Sequence, residues 1–271
     1  YPDRYIELGV AEQNLATVPS GLANYGKIPF ITSYAAFSPG RNNEQIRTTV
    51  AINNVPVKIA GAHAGISVGP DGATHQALED MALMRVMPRM VVLSPADSEE
   101  ARKVTLAAAA HNGPVYIRLA REKSPCITTK ESPFAIGSAN VVWESDHKPE
   151  VVVFATGPLL YEALLAAKEL EHTLPVAVIN VVSVKPLDRE TILYYAQDAK
   201  AVVTVEEHQV AGGMGSAVVE MLAQECPVPV EMVGVRDSFG QSGTLAELYN
   251  YYKLNAPHIK AAIQKVYARK G

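Results

Sequence analysis

Only two cysteines, Cys126 and Cys226, occur among 271 residues, and neither lies in a CxxC pair or a common metal-ligand spacing. That argues against a disulfide framework, and free thiols in a reducing, cytoplasmic setting are expected. An excess of positive charge is also missing: 24 Lys and Arg face 28 Asp and Glu, the formal charge is −4, and the cations are scattered rather than striped. No basic field is present to attract phosphate backbones, so nucleic acid is not an expected partner. Apolar runs such as 151–155 (VVVFA) fall far short of the roughly 20 residues a membrane span needs, and read as buried strands. No membrane association is expected.

What is there is the composition of a soluble globular protein, 48% hydrophobic and 19% charged, long enough for two ordinary domains. The chain opens at Tyr1 without a methionine and soon enters Gly9-Val10-Ala11-Glu12-Gln13, so further residues are expected upstream and a signal peptide stays open.

Short β-branched runs alternate with helix-like stretches, the pattern of parallel strands joined by crossover helices, and the alternation occurs twice. In the first block strands are expected near 29–33, 56–61, 90–94 and 114–119. Residues 97–111 read as a helix, with Asp97 as N-cap and Glu100 three residues on forming a capping box. Residues 123–137 hold Ser124-Pro125 and Ser132-Pro133 with little apolar periodicity, and read as a linker. In the second block strands are expected near 151–155, 176–182, 201–206 and 230–233. A helix over 159–170 carries a stripe of Leu160, Ala163, Leu164 and Ala167. The predicted fold class is α/β with two domains, 1–122 and 138–271, each a mostly parallel sheet flanked by helices. Pro19 falls inside a helical stretch otherwise ending at Gly26, and a mid-helix proline costs about 3 kcal/mol. A kink or restart is expected there.

Glu12 sits at a loop-to-helix junction. A capping or solvated acid is the plainer reading, but the helix that follows is apolar (Leu15, Ala16, Val18, Leu22), so an unpaired charge there is expensive. Such an acid wants a partner or a proton. Tyr34 and Phe37 follow the 29–33 strand with alanines between them; they read either as core or as a shelf on which a planar ring stacks. The 65–76 loop is rich in glycine and carries Asp71 and His75, with His63 just before it. It lies at the C-terminal edge of a parallel strand, where ligands bind in open sheets. Two histidines and an aspartate on one loop favour function over bystander status, and zinc ligation is the rival reading. Their spacing fits no common structural zinc pattern, so no metal site is assigned. Arg121, after the 114–119 strand, suits either surface pairing or an anion. Gly212-Gly213-Met214-Gly215-Ser216 resembles a phosphate loop but lacks the full GxGxxG spacing, and tight helix–sheet packing is the preferred reading, with the helix following Ser216.

Gly9-Val10-Ala11-Glu12-Gln13, the pair Tyr34/Phe37, Gly69-Pro70-Asp71-Gly72-Ala73-Thr74-His75-Gln76 and the stretch from Gly113-Pro114 to Arg121 resemble the pyrimidine-binding domain of transketolase. Val205-Glu206-Glu207-His208, 212–216 and Asp237-Ser238-Phe239-Gly240-Gln241-Ser242-Gly243 resemble the transketolase C-terminal domain. The resemblance implies a thiamine diphosphate enzyme that moves a two-carbon ketol unit between sugar phosphates, as in the pentose phosphate pathway. It further implies that Glu12 bonds the pyrimidine ring nitrogen, promoting the imino tautomer that activates the cofactor, while Phe37 and Tyr34 stack on that ring. His63, Asp71 and His75 would hold substrate hydroxyls and move protons, and Arg121 would grip the sugar phosphate.

Two departures stand out. Where relatives often carry a further aromatic after Phe37 this chain has Gly40, followed by Arg41-Asn42-Asn43. No Gly-Asp-Gly segment with a downstream Asn is present, the pattern by which relatives hold magnesium and the diphosphate. The resemblance therefore implies the C-terminal subunit of a split transketolase, completed in an α2β2 assembly by an N-terminal subunit that carries the diphosphate together with Mg2+ or Ca2+. A 1-deoxyxylulose-5-phosphate synthase, a 2-oxoacid dehydrogenase β subunit and a non-catalytic module of the same fold remain the alternatives.

Overall fold

A computed structural model describes residues 1–269. Its strands are β1 (Phe30–Tyr34), β2 (Lys58–Ala62), β3 (Val91–Leu93), β4 (Val115–Arg118), β5 (Asn140–Glu144), β6 (Val151–Ala155), β7 (Val176–Asn180), β8 (Ser183–Lys185), β9 (Val202–Gln209) and β10 (Val230–Val235). Helices α1 (Glu12–Asn24), α2 (Asn43–Gln45), α3 (Asp80–Arg85), α4 (Ser98–Ala110), α5 (Leu160–Leu170), α6 (Arg189–Ala199), α7 (Met214–Glu225), α8 (Leu245–Tyr251) and α9 (Ala256–Tyr267) surround them. The strands form two five-stranded sheets, β1-β2-β4-β3-β8 and β10-β9-β6-β7-β5. Every neighbouring pair is parallel except β3/β8 and β7/β5. This is the mostly parallel α/β architecture expected from the alternation. The strands β6 and β7 are buried at every residue, because helices cover both faces of a parallel sheet.

Two edge strands were not foreseen. The expected strand 176–182 stops at Asn180, and the chain crosses to the other sheet, where β8 pairs antiparallel with β3. The second block thus lends a strand to the first sheet. The strand β5 is an edge with mixed exposure, so it lacks the apolar run that marks a central strand. One apolar cluster runs through both sheets, joining Ile59, Met81 and Met84 to Phe154, Met214 and Val218.

Local expectations were corrected in four places. The helix α1 runs unbroken through Pro19 and ends at Asn24; Ala16, Pro19, Ser20 and Ala23 are buried together, so tertiary packing offsets the lost backbone bond. In α4 Asp97 caps the Glu100 N–H at 2.9 Å, but the Glu100 carboxylate accepts from Ala96 N (2.7 Å) and Asn180 Nδ2 (2.8 Å) instead of closing the box. The full capping box lies at Thr244 and Glu247 of α8. In α5 the buried stripe is Leu160, Ala163, Ala166, Ala167 and Leu170, with Leu164 only half-buried. Helix α7 begins at Met214, earlier than expected. The 123–137 stretch is largely irregular and is tied down where Ile127 and Thr128 donate their backbone N–H groups to Asp97 Oδ2 at 2.7 and 2.6 Å. Both cysteines are free thiols.

Candidate active site

Strands β1, β2 and β4 lie side by side, and their register pairs Tyr34 with Ala62 and Gly61 with Arg118. Residues leaving those C-terminal ends must therefore meet at one edge, which is where this topology places Phe37, His63 and Arg121. Tyr34 is the last residue of β1 rather than part of the loop, and His63 follows β2 directly. Their rings stack at 4.2 Å between centroids with 10° between planes. Tyr34 and Phe37 lie nearly parallel at 6.1 Å and 18°. The His75 ring meets both edge-on, at 5.7 Å from Tyr34 and 5.3 Å from Phe37. Four rings from three segments thus form one aromatic corner.

Glu12 joins this corner through a residue that the sequence reading gave no role. As the first residue of α1 it is 8% exposed. Its Oε2 accepts a hydrogen bond from Arg41 Nη1 at 3.2 Å, and the Arg41 guanidinium lies 5.3 Å above the Phe37 ring. Asn42 Nδ2 donates to the Glu12 carbonyl (2.8 Å) and to Ser38 Oγ (3.1 Å), fixing the start of α1 against the turn after β1. The expected partner of the acid is therefore Arg41. The Gly40-Arg41-Asn42 run, visible as a departure from the familiar aromatic pattern, was the signal for it.

On the other side of the corner Asp71 Oδ1 lies 3.6 Å from Arg121 Nη1, each side chain about a third exposed (33% and 32%). Arg121 also donates to the Val68 carbonyl, so it is a partly engaged cation rather than a free one. Burial, reinforced by Arg121, holds the His63 imidazole below its ordinary range, while Asp71 opposes the shift. His63 Nδ1 is buried without a hydrogen-bond partner. A neutral imidazole with an unused ring nitrogen can accept or donate a proton to a bound hydroxyl. Within the glycine-rich 65–76 segment lies a 3-10 turn, Ile66–Asp71, whose first four residues are buried. Among the described residues no group of three or more His, Cys, Asp or Glu is placed to hold a metal ion.

Residues 1–125 match the pyrimidine-binding domain of transketolase and residues 137–259 match the transketolase C-terminal domain. The chain is 42% identical over 270 residues to the 6-deoxy-6-sulfo-D-fructose transketolase subunit SqwH of Clostridium sp. (strain MSTE9), covering 99% of this chain and 83% of that one. The chain belongs to the transketolase family. A second relative is one of the subunits of an apulose-4-phosphate transketolase from Phocaeicola vulgatus, 33% identical over 268 residues, covering 98% and 85% of the two chains. Among solved structures, a split gene transketolase described as an inactive β4 tetramer superposes with a TM-score of 0.92 at 44% identity, over 100% of this chain and 86% of that one.

In this transketolase-family chain the glycine loop 212–216 is no phosphate cradle. The N-terminus of α7 is filled by Glu206, whose carboxylate accepts from Met214 N (2.7 Å) and Gly215 N (2.9 Å). A Cβ at Gly213 would fall 2.0 Å from Glu206 Oε2, so glycine is required for that close approach. Beside it lies a second ionisable cluster that the sequence reading left without a role. Arg118 Nε bonds Asp80 Oδ2 at 2.9 Å, and Tyr116 Oη donates to the same oxygen at 2.6 Å, all three buried. Burial pushes the Glu206 carboxyl up to about 7 and the His208 imidazole down to about 4. His208 Nδ1 lies 2.7 Å from the Gln209 carbonyl and its Nε2 accepts from Ala82 N at 3.4 Å, the pattern of a neutral ring. Two acids and a histidine closing an otherwise β-branched strand were the available signal. A cleft of about 620 Å³ in the second domain, bordered by Arg236, Phe239, Tyr252 and His258, contains none of the residues of the aromatic corner.

Proposed function

We propose that this chain is the C-terminal subunit of a split, thiamine diphosphate-dependent transketolase that moves a two-carbon ketol unit between sugar phosphates. One observation carries the reading: a nearly buried carboxylate and an aromatic corner are within reach of a single guanidinium, which touches both. The pair suits a planar, basic heterocycle, with Glu12 at a ring nitrogen and Phe37 and Tyr34 beneath its face. When bound, thiamine diphosphate supplies the carbon nucleophile that the side chains of this chain lack. The protein's own part is to place and protonate. Glu12 holds a proton at the pyrimidine nitrogen; His63, with its unpartnered Nδ1, and His75 hold and move protons at substrate hydroxyls. Asp71 orients a hydroxyl, and Arg121 offers its remaining donors to a phosphate.

The described residues do not fit the metal, for among them no group of three or more His, Cys, Asp or Glu is placed to hold a cation. Magnesium or calcium and the diphosphate then belong to an N-terminal partner subunit, in an α2β2 assembly. Support comes from the relatives: two are subunits of transketolases, and the split gene structure of β chains is an inactive tetramer. To test this, the chain is assayed alone and after co-purification with the product of the neighbouring reading frame, for thiamine diphosphate binding by calorimetry and for ketol transfer from a ketose phosphate. Binding and turnover are expected only in the complex, and pyruvate should not replace the ketose donor. Full activity of the isolated chain overturns the split-site reading, and turnover of pyruvate moves it to the synthase class.

A further inference from the structure

The strand β9 closes with Glu206-Glu207-His208-Gln209, and the first three of these are buried. Alternation along a strand sends neighbouring side chains to opposite faces. Glu206 serves α7 of its own domain, whereas Glu207 reaches the other domain. Its Oε1 accepts the backbone N–H of Ser67, its Oε2 lies 3.4 Å from Tyr249 Oη, and its carbonyl accepts from Arg118 Nη2 at 2.7 Å. The turn that receives it is built for close approach: at Gly65, where φ is +88°, a Cβ would fall 2.6 Å from Glu207 Cδ. His63, two residues earlier, has a positive φ of 53°. Such a backbone conformation persists only where its surroundings impose it. Within this short turn stand His63 at one end and Asp71 at the other.

A buried carboxylate is expensive, and an uncharged acceptor would satisfy one backbone N–H at lower cost. What a carboxylate adds is a shorter, stronger and more directional hydrogen bond. Burial pushes the Glu207 carboxyl above its ordinary range, and Arg118, already held by Asp80, opposes that shift with its positive charge. We propose that Glu207, reaching across from the second domain, is a positioning residue that fixes the 63–71 turn and thereby sets where His63 and Asp71 meet the substrate. The proposal rests on the site reading above, and it gives the C-terminal domain a task in substrate handling.

The test uses the chain assembled with its partner subunit and the variants Glu207→Ala and Glu207→Gln. For Glu207→Ala, kcat/KM for a ketose phosphate should fall by up to about 10²-fold, the effect of a misplacement of about 1 Å at a reacting centre. Thiamine diphosphate affinity should fall much less than kcat/KM, because Glu12, Tyr34 and Phe37 stand on other segments and meet the turn through the His63 ring alone. Amide hydrogen exchange should quicken at 64–70 while β6 and β7 keep their protection. Glu207→Gln, which retains an acceptor, should recover most of the rate. Unchanged kcat/KM and exchange in Glu207→Ala overturn the proposal. So do equal losses of cofactor binding and of protection throughout the chain, or a Glu207→Gln variant no better than Glu207→Ala. Exchange does not depend on turnover, so an assembled wild type without ketol transfer would sink the site reading while the exchange data still decide what Glu207 holds.

Discussion

The sheet edge around Glu12, Tyr34, His63 and Arg121 and the seam around Asp80, Arg118, Glu206 and His208 lie on either side of one turn, yet they treat charge in opposite ways. At the edge, charges keep few partners: Glu12 has Arg41, the Asp71–Arg121 pair is long and partly exposed, and His63 Nδ1 has none. In the seam Arg118 and Glu206 each make at least two hydrogen bonds while fully desolvated. Buried polar groups normally find partners, yet Asp80 Oδ1 in the seam is as unpartnered as His63 Nδ1 at the edge, so what separates the two regions is access: the Asp71–Arg121 pair is a third open, whereas Asp80, Arg118, Glu206 and His208 are closed off from solvent. Between these two regions the strong displacements of pKa fall in the seam, at Glu206, His208 and Tyr116, while at the edge burial lowers His63. Perturbed ionisation is a common pointer to active sites, but buried structural pairs produce it too. In this chain it points one turn away from the proposed site.

Substitutions on the two sides should separate rate from stability. The largest effect is expected from Glu12→Ala: ketol transfer by the assembled enzyme should drop by at least about 10²–10⁴-fold, the range for losing a positioned proton-transfer group, with the thermal midpoint nearly unchanged. Unaltered turnover would mean that the edge is not a live site. In the seam the reverse applies. Arg118→Met strands the Asp80 carboxylate without its cation and should cost about 3–5 kcal/mol in denaturant unfolding; adding Asp80→Asn should return part of it. A loss within ordinary surface scatter would mean that the seam is solvated after all.

The smallest effect is a pH slope. The Glu206 carboxyl binds its proton more tightly folded than unfolded, with a value of about 7 against an ordinary 4.5. Its contribution to stability is therefore fully present below about 4.5 and is lost as pH rises through about 7, on the order of 3 kcal/mol over that interval. His208, depressed to about 4 from 6.5, acts in the other sense: its contribution is present above 6.5 and lost as pH falls towards 4. Glu206→Gln should gain stability relative to the wild type between pH 4.5 and 7, measured by urea unfolding across that range. A difference that stays flat with pH would show that Glu206 does not titrate in the seam.

Much of this molecule is local. The run Val151–Ala155 is a strand because an apolar β-branched stretch has few other places to go, and α4 starts where Asp97 can cap it. Glu12 was legible as an acid against an apolar helix, and the glycines and histidines of 63–76 marked a turn at a strand end. Arg41 was harder, because a cation after a glycine reads as surface until the fold lays it over Phe37. β8 and Glu207 were beyond reach. A three-residue strand has no period of its own, and the Glu-Glu-His run reads as polar until another domain covers it.

The sequence by itself determined where the central strands and the helices α4 and α5 form and which residues leave the strand ends, since periodicity and capping act over a few neighbours. Only the tertiary structure decided that β8 crosses to the first sheet, that Arg41 answers Glu12, and that Glu207 reaches Ser67, 140 positions away. Burial is set by whatever surface arrives from elsewhere in the chain, and no local pattern records that arrival.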